Sequence, residues 1–144
     1  MAALFGGTGF HRYLAAAAAT ATHTERRMKL QLRLGDQTLD IVMDDNPTAR
    51  DLVSLLPLTM DLEDYAATEK IAYPPRRLST AEAPAGYTPA AADLAYYAPW
   101  GNLAIFHKDF RYSAGLIRLG RIEGGLQRLA MPGRRSAQLV LLAP

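Results

Sequence analysis

The chain of 144 residues contains no cysteine. Without a thiol it can form no disulfide, no thiolate nucleophile and no cysteine zinc site. It also lacks the run of ~20 strongly apolar residues that a membrane-spanning helix needs. Hydrophobic residues make up 49% and charged residues 21% of the chain. Length and composition together predict one soluble globular domain with a sizeable core and no membrane partner.

Residues suited to metal binding are scarce. Two of the three histidines, His11 and His23, lie near the amino terminus, so that only His107 remains for the rest of the chain. The acidic stretch 61–64 lacks the glycine and the spaced oxygen ligands of a calcium loop, and an exposed strand face explains it better. We therefore expect no metal and no cofactor.

A hydrolase site is also disfavoured. His107, Lys108, Asp109 and Ser113 lie close together in sequence. Neighbouring strand residues point to opposite faces, however, so His107 and Lys108 do not share one site. No G-x-S-x-G nucleophile elbow occurs, and the glycines of 6–9 lack the lysine of a phosphate-binding loop.

Charge is distributed unevenly along the chain. Residues 36–69 contain nine acidic residues and one base, Arg50, whereas residues 108–135 contain seven bases and two acidic residues. A basic patch of this kind can attract phosphates or nucleic acid. The preferred interpretation is that the two runs neutralise each other in the fold, and we expect no nucleic-acid partner.

Residues 1–27 differ from the remainder because they are rich in alanine, including 15–19. The first base is Arg12, and the run after it is too weakly apolar for a convincing secretory signal. We interpret 1–27 as a disordered leader or as the product of a start codon upstream of Met28, and 28–144 as the folded domain. A cytoplasmic location is expected, or a periplasmic one if 1–27 acts as a weak signal.

From Met28 onward the sequence is dominated by short alternating segments. Apolar residues alternate with polar ones on both sides of Gly35-Asp36, which predicts two strands joined by a tight hairpin. Asn46 and Pro47 suit the start of a helix that Pro57 ends. Further strands are predicted at 58–63, 70–73, 116–122 and 137–142, a second short helix at 123–131, and a long loop at 76–92. The absence of a strand–helix–strand rhythm predicts a mainly β, mostly antiparallel barrel.

The segment from Asp93 to Phe110, DLAYYAPWGNLAIFHKDF, is the most informative part of the chain. Two runs rich in strand-forming residues flank Pro99-Trp100-Gly101-Asn102, a cluster of turn residues that holds the only tryptophan. This pattern predicts two paired strands with a short connection. Alternation sends Tyr96 and Tyr97 to opposite faces, so at most one of them lies in the barrel interior.

Four blocks together resemble the bacterial cyclophilin-like family, whose members are related in fold to the prolyl isomerases. They are NPTARDLVSLLPLTMDLEDY at 46–65, PRRLST at 75–80, the segment 93–110, and GLIRLGRI at 115–122. The resemblance spans about 28–142 and implies a closed cyclophilin-like β-barrel of about eight strands capped by two short helices. Prolyl isomerases of this fold use an arginine, a Q-G-G segment and an asparagine-rich loop. No matching position carries these motifs here, so no catalytic residue can be assigned.

Candidate ligand-binding residues are Arg76 and Arg77, at the start of the long loop, and Tyr97, Trp100, Asn102 and Phe106. A fixed guanidinium can bind a carboxylate or phosphate or polarise a proline amide, although most arginines are simply exposed. The aromatic residues suit a pocket for a peptide or planar ligand, but core packing and turn stabilisation explain them as well.

Three functions fit these observations. The first is a binding module for a peptide or small molecule in a pocket on the barrel. The second is a divergent peptidyl-prolyl isomerase, and the third is a structural subunit of a homo-oligomer. The isomerase hypothesis rests on analogy of fold alone.

Overall fold

The computed structural model describes residues 27–143. The predicted leader therefore lies outside the described residues, apart from Arg27. Within this range lie ten strands, one α-helix and one 3₁₀ turn: β1 Lys29–Leu34, β2 Gln37–Met43, α1 Pro47–Ser54, β3 Leu58–Tyr65, β4 Glu69–Ala72, β5 Gly86–Tyr87, β6 Asp93–Tyr97, β7 Asn102–Phe106, β8 Ser113–Ala114, β9 Leu116–Glu123, the 3₁₀ turn Leu126–Arg128, and β10 Arg135–Leu141.

Eight of the strands close into an antiparallel barrel in the order β1-β10-β3-β4-β7-β6-β9-β2. The predicted hairpin at Gly35-Asp36 joins β1 to β2, and Gly35 has the positive φ (+62°) that such a turn requires. The remaining two strands, β5 and β8, pair with each other outside the barrel. The mainly β, eight-stranded closed barrel expected from the sequence is confirmed.

The barrel interior is filled by the protein's own side chains. Along each strand, alternate residues such as Leu30, Leu32 and Leu34 are fully buried in the central core. The space left inside is about 10 Å³, close to the volume needed for one water molecule. The interior is therefore a packed core with no room for a ligand.

The helix α1 begins as the sequence predicts. The Asn46 side chain caps it by accepting a hydrogen bond from the Ala49 backbone N–H at 2.8 Å, and Pro47 takes the first helical position. The buried face of the helix, with Ala49 and Leu52, packs on the core. The Asn46 amide also donates to the Arg118 carbonyl at 2.9 Å, which ties the start of the helix to β9.

The second predicted helix, at 123–131, is reduced to the single 3₁₀ turn Leu126–Arg128. Strand β9 continues through Glu123, and Gly124 and Gly125 then both adopt positive φ, at +72° and +74°. Two successive left-handed residues prevent an α-helix from starting at Glu123. Leu129, directly after the 3₁₀ turn, is nevertheless fully buried in the core.

The long loop 76–92 is anchored to the barrel and contains the short strand β5. Its Leu78 is buried, and the Leu78 backbone N–H donates to the Tyr96 hydroxyl at 3.1 Å. The Thr48 hydroxyl of α1 donates to the Ser79 carbonyl at 2.7 Å. These contacts hold the first part of the loop against the helix and the core.

Ion pairs join the acidic run 36–69 to the basic run 108–135. Arg134 lies 2.5 Å from an Asp61 oxygen and 3.6 Å from Glu63, and Arg118 lies 3.2 Å from Asp44. The predicted mutual neutralisation of the two runs is confirmed at these positions. Within 27–143, no helix is long and apolar enough to cross a membrane.

Candidate functional site

The candidate site lies on the outer wall of the barrel, over β4, β7, β6 and β9. Because strand residues alternate, the side chains that do not enter the core from these strands face outward. They form a second hydrophobic cluster, separate from the core: Ile71, Ala95, Ala104, Phe106 and Leu116. These residues face outward and are nevertheless buried, so other segments of the chain must lie over them.

The cover is supplied by the β5–β8 pair and by the segment between β7 and β8. Gly86 packs so closely on β8 that a Cβ there would lie 2.3 Å from the Ser113 carbonyl oxygen. The Phe110 backbone N–H donates to the Pro89 carbonyl at 3.2 Å, which joins the two covering segments. The cover leaves a groove of about 160 Å³ open beside it.

Half of the residues that line the groove are aromatic. Its aromatic residues are Tyr65, Tyr97, Trp100, Phe106 and Phe110. The Trp100 ring meets the rings of Tyr65 and Tyr97 edge-on, each at a centroid distance of 5.4 Å. Phe106 and Phe110 stack at 6.4 Å. Trp100 is 49% exposed, so its ring forms one rim of the groove.

Glu69 is the acidic group of the groove. It lies on β4, directly opposite Tyr65 of β3 on one side and Phe106 of β7 on the other. The residue is only 9% exposed, its carboxylate reaches the groove, and no ion pair or side-chain hydrogen bond within 27–143 involves it. Burial raises the pKa of the Glu69 carboxyl to about 7.

Two further polar residues in the groove have groups that are free to form a hydrogen bond or an ion pair. Asn102 is 1% exposed, and its amide donates to the Leu103 carbonyl at 3.1 Å while its Oδ1 has no partner among the described residues. The Arg111 guanidinium lies over the Phe110 ring, 5.0 Å from its centroid, and makes no ion pair within the described part of the chain. The groove thus combines aromatic walls with unpaired groups of both charges.

The family model for the Cyclophilin-like family matches residues 32–139, which contain all eight strands of the barrel at least in part. The chain belongs to the Cyclophilin-like family.

The solution structure of the hypothetical protein AF2241 from Archaeoglobus fulgidus shares the fold of this cyclophilin-like domain. It superposes with a TM-score of 0.64 at 14% sequence identity, covering 79% of this chain and 94% of that one. At this identity the likeness concerns the fold alone. No curated protein matches the chain.

Four of the six predicted site residues of this cyclophilin-like domain line the groove: Tyr97, Trp100, Asn102 and Phe106. As predicted, Tyr96 and Tyr97 point to opposite faces, with Tyr96 buried in the core. These four residues lie close together because they follow one another along β6, the turn that holds Trp100, and β7. Their role as ligand-binding residues stays a prediction.

Arg76 and Arg77 do not line the groove. Both terminal nitrogens of Arg76 donate to the Asp51 carboxylate at 2.8 Å, and this pairing, with the hydrogen bond from the Ser79 backbone N–H, lowers the Asp51 pKa to about 2. Arg77 donates to the Ala98 carbonyl at 2.8 Å. Each arginine therefore has a structural partner, and ligand binding by either one stays a prediction.

The contacts of Arg77 support the turn that carries Trp100. Its side chain packs over Gly101, where a Cβ would lie 3.5 Å from the Arg77 Cγ. On the other side, the Ala98 backbone N–H donates to the Gly115 carbonyl at 2.9 Å. Gly115 has φ +79°, and a Cβ there would lie 2.7 Å from the Pro99 ring.

We expect Arg77→Ala to loosen the Trp100 turn while leaving the fold intact. The loss of one charge-assisted hydrogen bond at an exposed site should lower the free energy of unfolding by about 1 kcal/mol. The quenching of Trp100 fluorescence by acrylamide should increase, because the ring loses its support. Arg76→Ala is the matched control and should leave quenching unchanged. Equal quenching in the wild type and the Arg77 variant would contradict this role.

Glu69, Arg111, Tyr65 and Phe110 also line the groove and are not among the residues predicted from the sequence. For Glu69 the alternation at 69–72 indicates only that it shares a strand face with Ile71, opposite Lys70 and Ala72. Which face the aromatic residues share depends on the pairing of β4 with β7. For Arg111 the sequence holds no such signal, since it lies in an irregular segment between β7 and β8.

The residues considered for a hydrolase or a metal site have other roles. Asp109 accepts a hydrogen bond from the Ala91 backbone N–H at 2.8 Å, and the Ser113 hydroxyl donates to the Arg111 carbonyl at 3.3 Å. Burial and the neighbouring Lys108 lower the pKa of His107. No group of three metal-ligating side chains occurs in the described range 27–143.

Proposed function

We propose that this cyclophilin-like domain is a binding module that takes a small ligand or a peptide segment in the outer groove. The observation that carries the proposal is Glu69, a largely buried carboxylate without a partner among the described residues, placed between aromatic rings. An unpaired buried carboxylate costs stability, and such groups concentrate at functional sites. A ligand that pairs with the carboxylate removes this cost.

The shape and composition of the groove support the same function. Its five aromatic residues offer a wide apolar contact area, and Glu69, Asn102 and Arg111 offer a few polar groups. Ligand sites are commonly concave and apolar with a small number of placed polar groups. The volume of about 160 Å³ suits a small molecule or one or two side chains of a peptide.

Trp100 gives a direct readout of binding. We expect small aromatic amines, aromatic acids or blocked proline dipeptides, added one at a time, to change its fluorescence in a saturable manner. Tyr97→Ala should weaken binding of any responding compound by about tenfold or more, since one aromatic wall is lost. Tyr73→Ala is the matched control, because Tyr73 is exposed outside the groove. Equal affinities in the two variants would contradict binding in the groove.

One specific observation supports the alternative function, a divergent prolyl isomerase. Arg111 has an unpaired guanidinium beside the aromatic groove, whereas Arg76 and Arg77 are held by Asp51 and the Ala98 carbonyl. A donor to the proline nitrogen and an apolar pocket suffice in principle to lower the isomerisation barrier. The donor proposed for this function is therefore Arg111.

An isomerisation assay with a proline tetrapeptide separates the two functions. A divergent isomerase accelerates the reaction, loses the acceleration on Arg111→Gln and keeps it on Arg76→Gln. No acceleration at high protein concentration removes the isomerase alternative. The role as a homo-oligomer subunit stays a prediction, which light scattering at high concentration tests.

A further inference from the structure

Two opposite charges line the groove without pairing with each other. Glu69 and Arg111 both contribute to its surface, yet they form no ion pair, and neither is paired with another residue of the described chain. A carboxylate and a guanidinium can form strong bidentate pairs, and here each of the two is free to pair with a ligand.

Two stacked rings, Phe106 and Phe110, connect the surroundings of Glu69 to those of Arg111. Glu69 lies directly opposite Phe106 on the neighbouring strand. Phe106 stacks on Phe110, with an interplanar angle of 25°, and the guanidinium of Arg111 rests over Phe110. The two charges therefore stand at the two ends of an aromatic wall. The carboxylate belongs to the rigid strand β4, and the cation–π contact restrains the guanidinium.

We propose that the ligand of this groove is a small zwitterion with an apolar or aromatic body, such as an α-amino acid. Its ammonium group binds the Glu69 carboxylate between Tyr65 and Phe106, and its carboxylate binds the Arg111 guanidinium. The inference rests on the proposed binding function and specifies the ligand class for that site.

The chemistry of both ends fits such a ligand. An ammonium group beside Glu69 gains a charge-assisted hydrogen bond together with the attraction of the Tyr65 and Phe106 rings. A carboxylate matches the planar fork of the Arg111 guanidinium. The body of the ligand then lies along the aromatic residues that connect the two ends.

Ligands with one charge or none fit less well. A neutral ligand would cover Glu69 without pairing with its carboxylate, and a buried group left unpaired costs its full desolvation free energy. It would also leave the Arg111 guanidinium without a carboxylate partner. Sites built around polar partners reject analogues that lack them more strongly than apolar pockets reject small changes of shape. The groove should therefore select for both charges at once.

Three compounds that share one body test this selection. Phenylalanine carries both charges, phenethylamine carries only the ammonium group, and 3-phenylpropanoate carries only the carboxylate. Binding is measured at pH 8 from the backbone amide shifts of groove residues in the full chain. We expect phenylalanine to bind at least about tenfold more tightly than either analogue, because each end contributes one charge-assisted contact.

Two variants that each replace one charged side chain with a neutral polar one assign the ends. Glu69→Gln should remove the advantage of phenylalanine over 3-phenylpropanoate, and Arg111→Gln should remove its advantage over phenethylamine. Glu69→Gln should still prefer phenylalanine to phenethylamine, and Arg111→Gln should still prefer phenylalanine to 3-phenylpropanoate. Amide spectra that keep the wild-type dispersion show that both variants fold.

The outcomes distinguish this inference from the proposed function. If an analogue binds in the groove as tightly as phenylalanine, or if both variants keep both preferences, the zwitterion inference is wrong and the binding function stands. If none of the three compounds shifts groove residues while other small molecules do, the inference is likewise wrong. If no compound of any class shifts them, the binding function fails as well.

Discussion

We expect the replacement of Lys70 with methionine to lower the free energy of unfolding by about 3 kcal/mol. The side chain of Lys70 is fully buried, and its ammonium group donates three hydrogen bonds: to Asp64 at 2.5 Å, to the Met131 carbonyl at 2.8 Å and to the Gly133 carbonyl at 3.0 Å. Methionine keeps the length of the chain but leaves these acceptors without their donor. The segment 131–133, which follows the 3₁₀ turn, then loses its attachment to β4.

Chemical denaturation of the two proteins measures this effect. Lys108→Met is the matched control, because Lys108 is exposed and should change stability by less than about 0.5 kcal/mol. Local loosening should accompany the loss, with faster amide exchange in 131–133. A Lys70 variant as stable as its control would show that the buried ammonium group is not needed to close this part of the barrel.

A substitution at the neighbouring residue, Glu69, is expected to have the opposite effect on stability. Glu69→Gln raises the free energy of unfolding by up to about 3 kcal/mol above pH 7. The pKa of the Glu69 carboxyl rises from an ordinary 4.5 to about 7 because burial disfavours its charged form. The folded protein therefore holds the proton more tightly than the unfolded chain does.

The sign of the pH dependence follows from this difference. Below about pH 4.5 the carboxyl is protonated in both states, so the wild type and the variant have similar stability. Between about pH 4.5 and 7 the unfolded chain ionises first, and the wild type loses stability as the pH rises. Above pH 7 the wild type carries the full destabilisation caused by the buried, charged Glu69 carboxylate, whereas the neutral glutamine of the variant carries none.

Denaturation curves of both proteins from pH 4 to pH 9 test the prediction, with Glu82→Gln as the exposed control. The difference between the wild type and Glu69→Gln should grow with pH and level off above pH 7. A difference independent of pH would mean that Glu69 is not desolvated in the folded protein. A stability gain accompanied by weaker binding of amine ligands would identify Glu69 as a group retained for function at a cost in stability.

Local patterns in the sequence were sufficient for the architecture. Alternating residues on both sides of Gly35-Asp36 predict β1 and β2, because the period of a strand and the geometry of the hairpin are local properties. Asn46 and Pro47 likewise specify the start of α1. The second predicted helix is reduced to a 3₁₀ turn for an equally local reason. The apolar spacing of 123–131 suits a helix, but Gly124-Gly125 is a strong helix-breaking pair.

The groove was predictable only in part. Tyr97, Trp100, Asn102 and Phe106 come together because β6 and β7 form a hairpin, and hairpin pairing can be inferred from adjacent segments. Glu69 and Arg111 join them through contacts between distant parts of the chain: the pairing of β4 with β7 and the cover formed by β5 and β8. No local pattern encodes such contacts. The arginines at 76 and 77 stood out in sequence, yet their partners lie on α1 and in the Trp100 turn.

We propose that the outer groove, and not the barrel interior, is the ligand site of this cyclophilin-like domain. The most direct test is to map amide and indole chemical shifts while titrating phenylalanine and a panel of small aromatic and peptide fragments. We expect binders to shift the Trp100 indole N–H and the amides around Glu69, Asn102 and Arg111, and to leave core residues such as Leu32 and Leu139 unchanged. Shifts confined to other surfaces, such as that around Arg118 and Arg121, or no saturable shift in the groove for any compound, would contradict it.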